Sequence, residues 1–442
     1  MHTTKSDTAR QRVVIVGGGF AGLFAAQRLS RRDAAKEVTV TLIDRNNYHT
    51  FQPLLYQVAA AELEPESIAY PIRGIFRHAP NVTTIMSEAT GLDLKRRLVL
   101  TDGPALPYDQ LVLAPGSRTA FFGVPGAERN AFTLKSLEEA VNLRNHILAC
   151  FERAALEGEA APEGLLTVAI VGAGPTGLEF AGALAELMAS PLAKDFPRLK
   201  GPKPRVVLVD AAEDVLMPFA PELRVYARQK LESMGVKVHV KSGVREVAPN
   251  AVTLTDGTEI RACTIVWAAG VQGGEFGEKA GLPLGRGGRV PVTPTLQVTG
   301  RPEIHVVGDM ALTDGKNPPP MVAPNAIQQG LHAAKNILLA ARGRATTEFV
   351  YKDKGSMVTI GRNSGVAQIK NRRYRGYVAW ALWLSVHLMY LIGFRNRILV
   401  LMNWAWDYLF FERAVRLILP RVDSVLKVCG MGTCTADDEL RQ

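Results

Sequence analysis

Short β-branched runs that open into glycine loops and small-residue helices set the rhythm of this chain. Val13 to Val16 is a strand-like run that leads into Gly17-Gly-Gly-Phe-Ala-Gly22, and helical patterning follows from Leu23 to Ser30. A second strand, Val38 to Ile43, ends in Asp44. The pattern then recurs. Val168 to Val171 opens into Gly172-Ala-Gly-Pro-Thr-Gly177, a helix runs from Leu178 to about Ala189, and the strand Arg205 to Val209 ends in Asp210. Strand, glycine loop and helix in that order make a dinucleotide cradle. Gly17 and Gly172 permit the tight turn, Gly19 and Gly174 let backbone approach a pyrophosphate, and Gly22 and Gly177 let helix pack on strand. The helix N-terminus holds the anion. Asp44 stands 22 residues after Gly22, where an acceptor for a ribose hydroxyl belongs, whereas Asp210 stands 33 after Gly177 because Pro191 to Pro204 lengthens the crossover.

The same patterning predicts helices over Ser136 to Ala155 and Glu222 to Met234, and strands over Val236 to Val240, Ala251 to Leu254 and Thr264 to Trp267. Both glycine units are followed by a strand closing on a small-residue turn, Ala114-Pro-Gly116 and Ala268-Ala-Gly270. Ile304 to Asp309 is an apolar strand ending in Gly308-Asp309, whose acid suits a ribityl or sugar hydroxyl. A proline loop, Pro318 to Pro320, runs into a long helix carrying Gln328 and Gln329, two amides suited to a flavin ring or a carbonyl ligand. Gly355 to Ile360 and Gly365 to Ile369 read as a hairpin. Gly376 to Phe394 is 19 residues without a formal charge, long enough to be weighed as a membrane span. Ile398 to Leu419 reads as helical, and Asn396 just before it, with Asn403 and Asp407 at helical spacings of seven and four, makes one polar stripe. The fold class is therefore α/β: two Rossmann-like dinucleotide-binding domains, the second inserted in the first, and a C-terminal membrane-associating helical segment.

Composition sharpens this picture in three places. At 442 residues the chain exceeds one ordinary core, which supports two domains or more. The formal charge of +10 is uneven, since Lys352 to Arg421 holds twelve Lys or Arg against Asp353, Asp407 and Glu412. Those charges bracket apolar, tryptophan-bearing runs, so they point to an anionic membrane surface and away from nucleic acid. The four cysteines form no C-x-x-C pair, which suits a reducing compartment, and no signal peptide precedes the first strand. Asp210, Glu213 and Asp214, with no Arg among them, favour NAD over NADP, whose 2′-phosphate they would repel.

The loop Val171-Gly-Ala-Gly-Pro-Thr-Gly-Leu-Glu179, the first loop, Tyr48 to Val58, Val306-Val-Gly-Asp309, Ala326-Ile-Gln-Gln329 and the aromatic tail resemble the type II, non-proton-pumping NADH dehydrogenases. The similarity runs from about Val13 to Leu419. It implies non-covalent FAD on Gly17, Gly19, Gly22, Asp44, Gly308, Asp309 and Gln329, and NADH on Gly172, Gly174, Gly177 and Asp210. It further implies catalytic roles for Glu179 and Gln328, no metal, and a membrane quinone (ubiquinone or menaquinone) as acceptor. Residues 1–120 and 290–348 would form the FAD-binding domain, 121–289 the NADH-binding domain, and 349–442 a hairpin with membrane-anchoring helices. The expected location is the cytoplasmic face of the inner membrane, as a peripheral or monotopic homodimer. One departure stands out: Ala323-Pro-Asn-Ala-Ile-Gln328 has proline where the family's quinone motif has its first glutamine. Dithiol reductases and sulfide:quinone oxidoreductases require cysteines near the flavin, and none lies before Cys150. A soluble NADH oxidase is disfavoured by the tail, and a non-enzymatic, membrane-tethered flavoprotein is the reading from a different class.

Overall fold

The computed structural model describes residues 10–201, 203–313, 318–410 and 415–419. Cys429 and Cys434 lie outside them. The chain divides into two compact units, one built from Met1–Thr50, Tyr70–Arg118 and Val271–Lys354, the other from Phe51–Ala69, Thr119–Gly270 and Gly355–Gln442.

The first unit is built on a six-stranded sheet in the order Gln297–Val298, Arg301–Val306, Gln110–Leu113, Gln11–Val16, Val38–Asp44, Val82–Met86. All neighbours are parallel except the Gln297–Val298 edge. The continuous buried apolar runs at Val13–Val16 and Leu111–Leu113 are what a parallel sheet covered on both faces requires. The first loop's helix is Phe20–Leu29, starting three residues before the predicted Leu23, and it packs against the long Ala323–Ala341 helix. That packing is close enough for a Cβ at Gly330 to sit 2.1 Å from the Ala21 carbonyl oxygen.

The second unit carries a four-stranded parallel sheet, Lys237–His239, Arg205–Val209, Thr167–Val171, Thr264–Trp267. Ala251–Leu254 does not join it; that strand sits in a separate antiparallel sheet with Val244–Ala248 and Glu259–Arg261. The two sheets share a core in which Val171, Val209 and Trp267 meet Val247, Val252 and Leu254. The helix Leu137–Glu157 is started by a capping box: the Ser136 hydroxyl accepts from the Glu139 amide, and the Glu139 carboxylate accepts from the Ser136 amide.

The predicted hairpin is present as Ser356–Thr359 against Gly365–Ile369, and a third strand, Arg372–Arg375, extends it. Its arginines read in sequence as the flank of an apolar run, because an exposed edge strand shows no buried face. The 19-residue apolar run is not one helix. A helix of 14 residues, Tyr377–Tyr390, ends where Leu391 turns extended and Gly393 adopts φ +88°, and a second helix, Phe394–Phe410, follows. Arg397 closes the first helix by donating to the carbonyls of Leu391 (2.8 Å) and Met389 (2.9 Å), a cation at the negative end of the helix dipole. Fourteen residues rise about 21 Å, short of the roughly 30 Å of a bilayer core. No described helix is long and apolar enough to cross a membrane.

The second tail helix is inverted relative to a soluble one. Asn396 is buried and donates to the Glu66 (3.2 Å) and Ala69 (3.0 Å) carbonyls. Outward stand Phe394, Leu401, Met402, Trp406, Leu409 and Phe410, with Phe394 at 78% exposure.

Candidate active site

Each glycine loop is a cradle made by backbone. Gly17 sits at φ +101° and Gly172 at φ +109°, the left-handed region that glycine reaches without cost. A Cβ on Gly22 would lie 1.9 Å from the Gly17 carbonyl oxygen, and one on Gly177 would lie 1.9 Å from that of Gly172. Both loops thus close on their helices only with glycine. Beside Gly19 and Gly174, by contrast, a Cβ would meet nothing within 4 Å, so the chain leaves open space at both helix N-termini.

The predicted acids are where their strands end, and they hold the loops. Asp44 Oδ2 accepts from the Gly18 amide at 2.6 Å, and its Oδ1 accepts from Asn46 at 2.7 Å. Asp210 repeats this with the Ala173 amide at 2.6 Å and Ala212 at 2.8 Å. Each carboxylate oxygen keeps a second lone pair for a ribose hydroxyl. Burial pushes the Asp44 pKa upward, opposed by those two amides.

Three further observations in the first unit fit a bound flavin nucleotide. His49 donates from Nδ1 to the Gly18 carbonyl (2.8 Å), which leaves Nε2 a buried acceptor with no partner among the described residues. Burial pulls the pKa of His49 down to about 4, so the ring is neutral. Gln329 accepts from the Gly308 amide at 2.7 Å while its buried Nε2 has no partner. Asp309 is reached by the Ser117 hydroxyl at 2.6 Å. Buried donors and acceptors without partners are costly in a finished core and expected where a ligand completes them. Gln328 differs from its neighbour. Its amide exchanges two 3.0 Å hydrogen bonds with the backbone of Lys352, so it holds that segment in place. Pro324 stands at the start of the same helix, in the first turn, where it needs no amide partner.

Glu179 lies two residues past Gly177 on the second loop's helix, Pro175–Ala189, and is 8% exposed. It sits in a polar knot within the second unit. Trp383 donates its indole N–H to Oε1 at 2.9 Å, and the Thr359 amide approaches the same oxygen at 3.4 Å. The Thr359 hydroxyl shares a 2.9 Å hydrogen bond with the Tyr56 hydroxyl, to which Gln57 also donates at 3.1 Å. Trp404, on the second tail helix, donates to Gln57 at 2.9 Å. Burial raises the pKa of Glu179 to about 8 against the opposing pull of the Thr359 and Trp383 hydrogen bonds. At neutral pH this is a protonated carboxyl group, able to give a proton and take one back. Burial, with the Glu62 charge adding to it, likewise pushes the Tyr56 pKa upward and keeps its hydroxyl protonated.

No role was read from the sequence for Tyr56, Gln57, Thr359 or Trp404; the available signals were the Tyr48 to Val58 stretch, which holds the first two, and the tail's run of tryptophans. Among the described residues no group of three or more His, Cys, Asp or Glu side chains is placed to hold a metal ion.

Comparison with known proteins agrees with this geometry. Residues 11–330 match the pyridine nucleotide-disulphide oxidoreductase family, and residues 354–413 match the NDH2 C-terminal domain. The type II NADH:quinone oxidoreductases Ndh and NdhA of Mycobacterium tuberculosis are similar, Ndh at 39% identity over 93% of this chain and 90% of its own length, NdhA at 41% over 92% and 88%. Among solved structures, NDH2 of Plasmodium falciparum in complex with NADH superposes with a TM-score of 0.83 at 18% identity, over 91% of this chain and 99% of that one. With two glycine cradles, a flavin-ready first unit and a protonated acid on the second loop's helix, the chain belongs to the type II NADH:quinone oxidoreductase family.

Proposed function

We propose that the protein oxidises NADH held on the Gly172–Gly177 loop and delivers two electrons to a membrane quinone, with Glu179 supplying a proton to that quinone. FAD, held by the Gly17–Gly22 loop with Asp44, Asp309 and Gln329, supplies the two-electron relay when bound. The balance is NADH, one proton and quinone giving NAD⁺ and quinol, so one proton is needed beyond the hydride. Glu179 meets that need: it is protonated near neutrality, and solvent restores its proton after each turnover. The carrying observation is this neutral, hydrogen-bonded carboxyl on the very helix that the second loop begins. Asp210, joined by Glu213 and Asp214, selects NADH over NADPH by charge. Gln328 is the proposed quinone contact, through the one amide hydrogen that Lys352 does not use.

The domain assignment follows the same logic: the unit around the first loop binds FAD, the unit around the second binds NADH, and the tail meets the membrane. The outward apolar face of Phe394–Phe410, together with exposed Tyr377, Val378 and Met389 and the flanking Arg395 and Arg397, suits an anionic lipid surface on the cytoplasmic side.

The test is NADH oxidation by purified, detergent-extracted protein with a short-chain quinone while flavin absorbance is followed. Bleaching by NADH and recovery on adding quinone is the expected result. Bleaching without recovery would exclude quinone as the acceptor.

A further inference from the structure

The geometry around Glu179 assigns a role to a residue outside both glycine units. We propose that Trp383 is a positioning residue for quinone reduction: its indole N–H fixes one oxygen of Glu179 and reserves the other for the proton that is exchanged. This rests on the reading of Glu179 given above.

Both donors to the carboxyl, the Trp383 indole and the Thr359 amide, converge on Oε1, at 2.9 and 3.4 Å. No hydrogen bond to Oε2 is seen among the described residues. The indole is held on every side. His387 stacks on it at 3.9 Å with 21° between planes, the Tyr56 ring meets it edge-on at 6.2 Å, and Trp404 lies at 6.0 Å. His387 is itself tied to the same turn, its Nδ1–H donating to the Trp383 carbonyl at 2.7 Å. An indole so clamped is a fixed donor, and a fixed donor keeps the carboxyl in one orientation, with its carbonyl oxygen toward Trp383 and its O–H on Oε2.

The choice of an indole also matters chemically. It stabilises the carboxylate through one hydrogen bond without bringing a full charge, as a lysine would, so the acid is not forced to ionise. The titratable and charged groups around Glu179 are few. Tyr56 comes from the Leu55–Ala59 helix with Glu62 behind it, His387 from the Tyr377–Tyr390 helix, and Glu186 lies further along its own helix, accepting from the Arg362 amide at 2.6 Å. Burial holds His387 neutral, with its pKa near 4. Trp383 is therefore the side chain that, beside the Thr359 amide, opposes the upward pull of burial on this carboxyl.

The experiment compares the pH dependence of quinone reduction in the full-length holoenzyme with the infrared carboxyl band that Glu179→Gln removes. In the protein itself, turnover falls as pH rises through the titration of Glu179, and Glu179→Gln lacks that limb. Trp383→Phe keeps the ring and loses the donor, so the limb moves to higher pH by about one unit and the carboxyl band moves to higher wavenumber. Trp383→Gln loses the ring and keeps an N–H donor, so limb and band return toward their original places. If Trp383→Phe folds poorly, Trp383→Leu against Trp383→Gln gives the same contrast. A limb and band unmoved by loss of the donor, or moved equally by Trp383→Gln, would overturn the role of Trp383. A limb that persists in Glu179→Gln would overturn the reading of Glu179 instead.

Discussion

The two glycine units carry the same backbone device at residues 155 apart, and they differ in what the helix brings next. Gly17, Gly22 and Asp44 superimpose in role on Gly172, Gly177 and Asp210, down to the 2.6 Å hydrogen bond from acid to loop amide. At the position two past the last glycine, the first helix has Phe24, half-buried, and the second has Glu179, buried and hydrogen-bonded. The cradle alone binds. In the reaction proposed above, the second loop takes part because its helix also carries an acid, which a distant segment, Thr359 and Trp383, arrives to hold.

The comparison breaks most sharply at the open glycines. Gly19→Val and Gly174→Val add a side chain where the chain itself has room, so both fold. Gly19→Val elutes from gel filtration without flavin absorbance, whereas Gly174→Val keeps its flavin and its KM for NADH rises roughly 100-fold, about 2.7 kcal/mol. Loss of flavin in both would show that the loops do not divide the two nucleotides.

A stability effect is confined to the second helix. Unfolded, Glu179 releases its proton near 4.5; folded, it keeps it to about 8. The unfolded chain therefore binds fewer protons across that window, and stability falls as pH rises through it, by an amount on the order of several kcal/mol. Thermal unfolding followed from pH 5 to 8 should show this slope in the protein and in Phe24→Leu, and a flatter one in Glu179→Gln.

A smaller effect separates the units by their attachments, since only the second carries the tail. Met402→Glu with Leu409→Glu should weaken binding to anionic vesicles about tenfold or more while turnover with a water-soluble quinone changes little. Smallest is the cap of the helix Leu137–Glu157: Ser136→Ala should cost about 1 kcal/mol in denaturant unfolding and leave both nucleotide sites intact.

Local signals were strong where the backbone dictates the residue. Both glycine loops, the strand Arg205–Val209 and the acids Asp44 and Asp210 at their strand ends follow from local pattern, because a turn at positive φ and a parallel strand leave little choice of residue. The site around Glu179 was only half legible. The resemblance marked the glutamate, but the knot around it is made by Tyr56, Thr359, Trp383 and Trp404, with Trp383 alone 204 residues from Glu179, and no local periodicity encodes such convergence. The tail misled for a related reason. Its apolar run reads as one long helix until Gly393 breaks it and Arg397 folds back to cap the first half. Its polar stripe, Asn396 foremost, turns toward protein, and the apolar face is the outer one.

The most direct test of the difference between the two loops separates the half-reactions in one instrument. In anaerobic stopped flow, the holoenzyme is mixed first with one equivalent of NADH and then with a short-chain quinone, for the protein and for Glu179→Gln. The account predicts that the NADH phase keeps its rate in Glu179→Gln while the quinone phase slows by roughly 100-fold, the usual weight of a positioned proton donor. An unchanged quinone phase, or equal slowing of both phases, would contradict it.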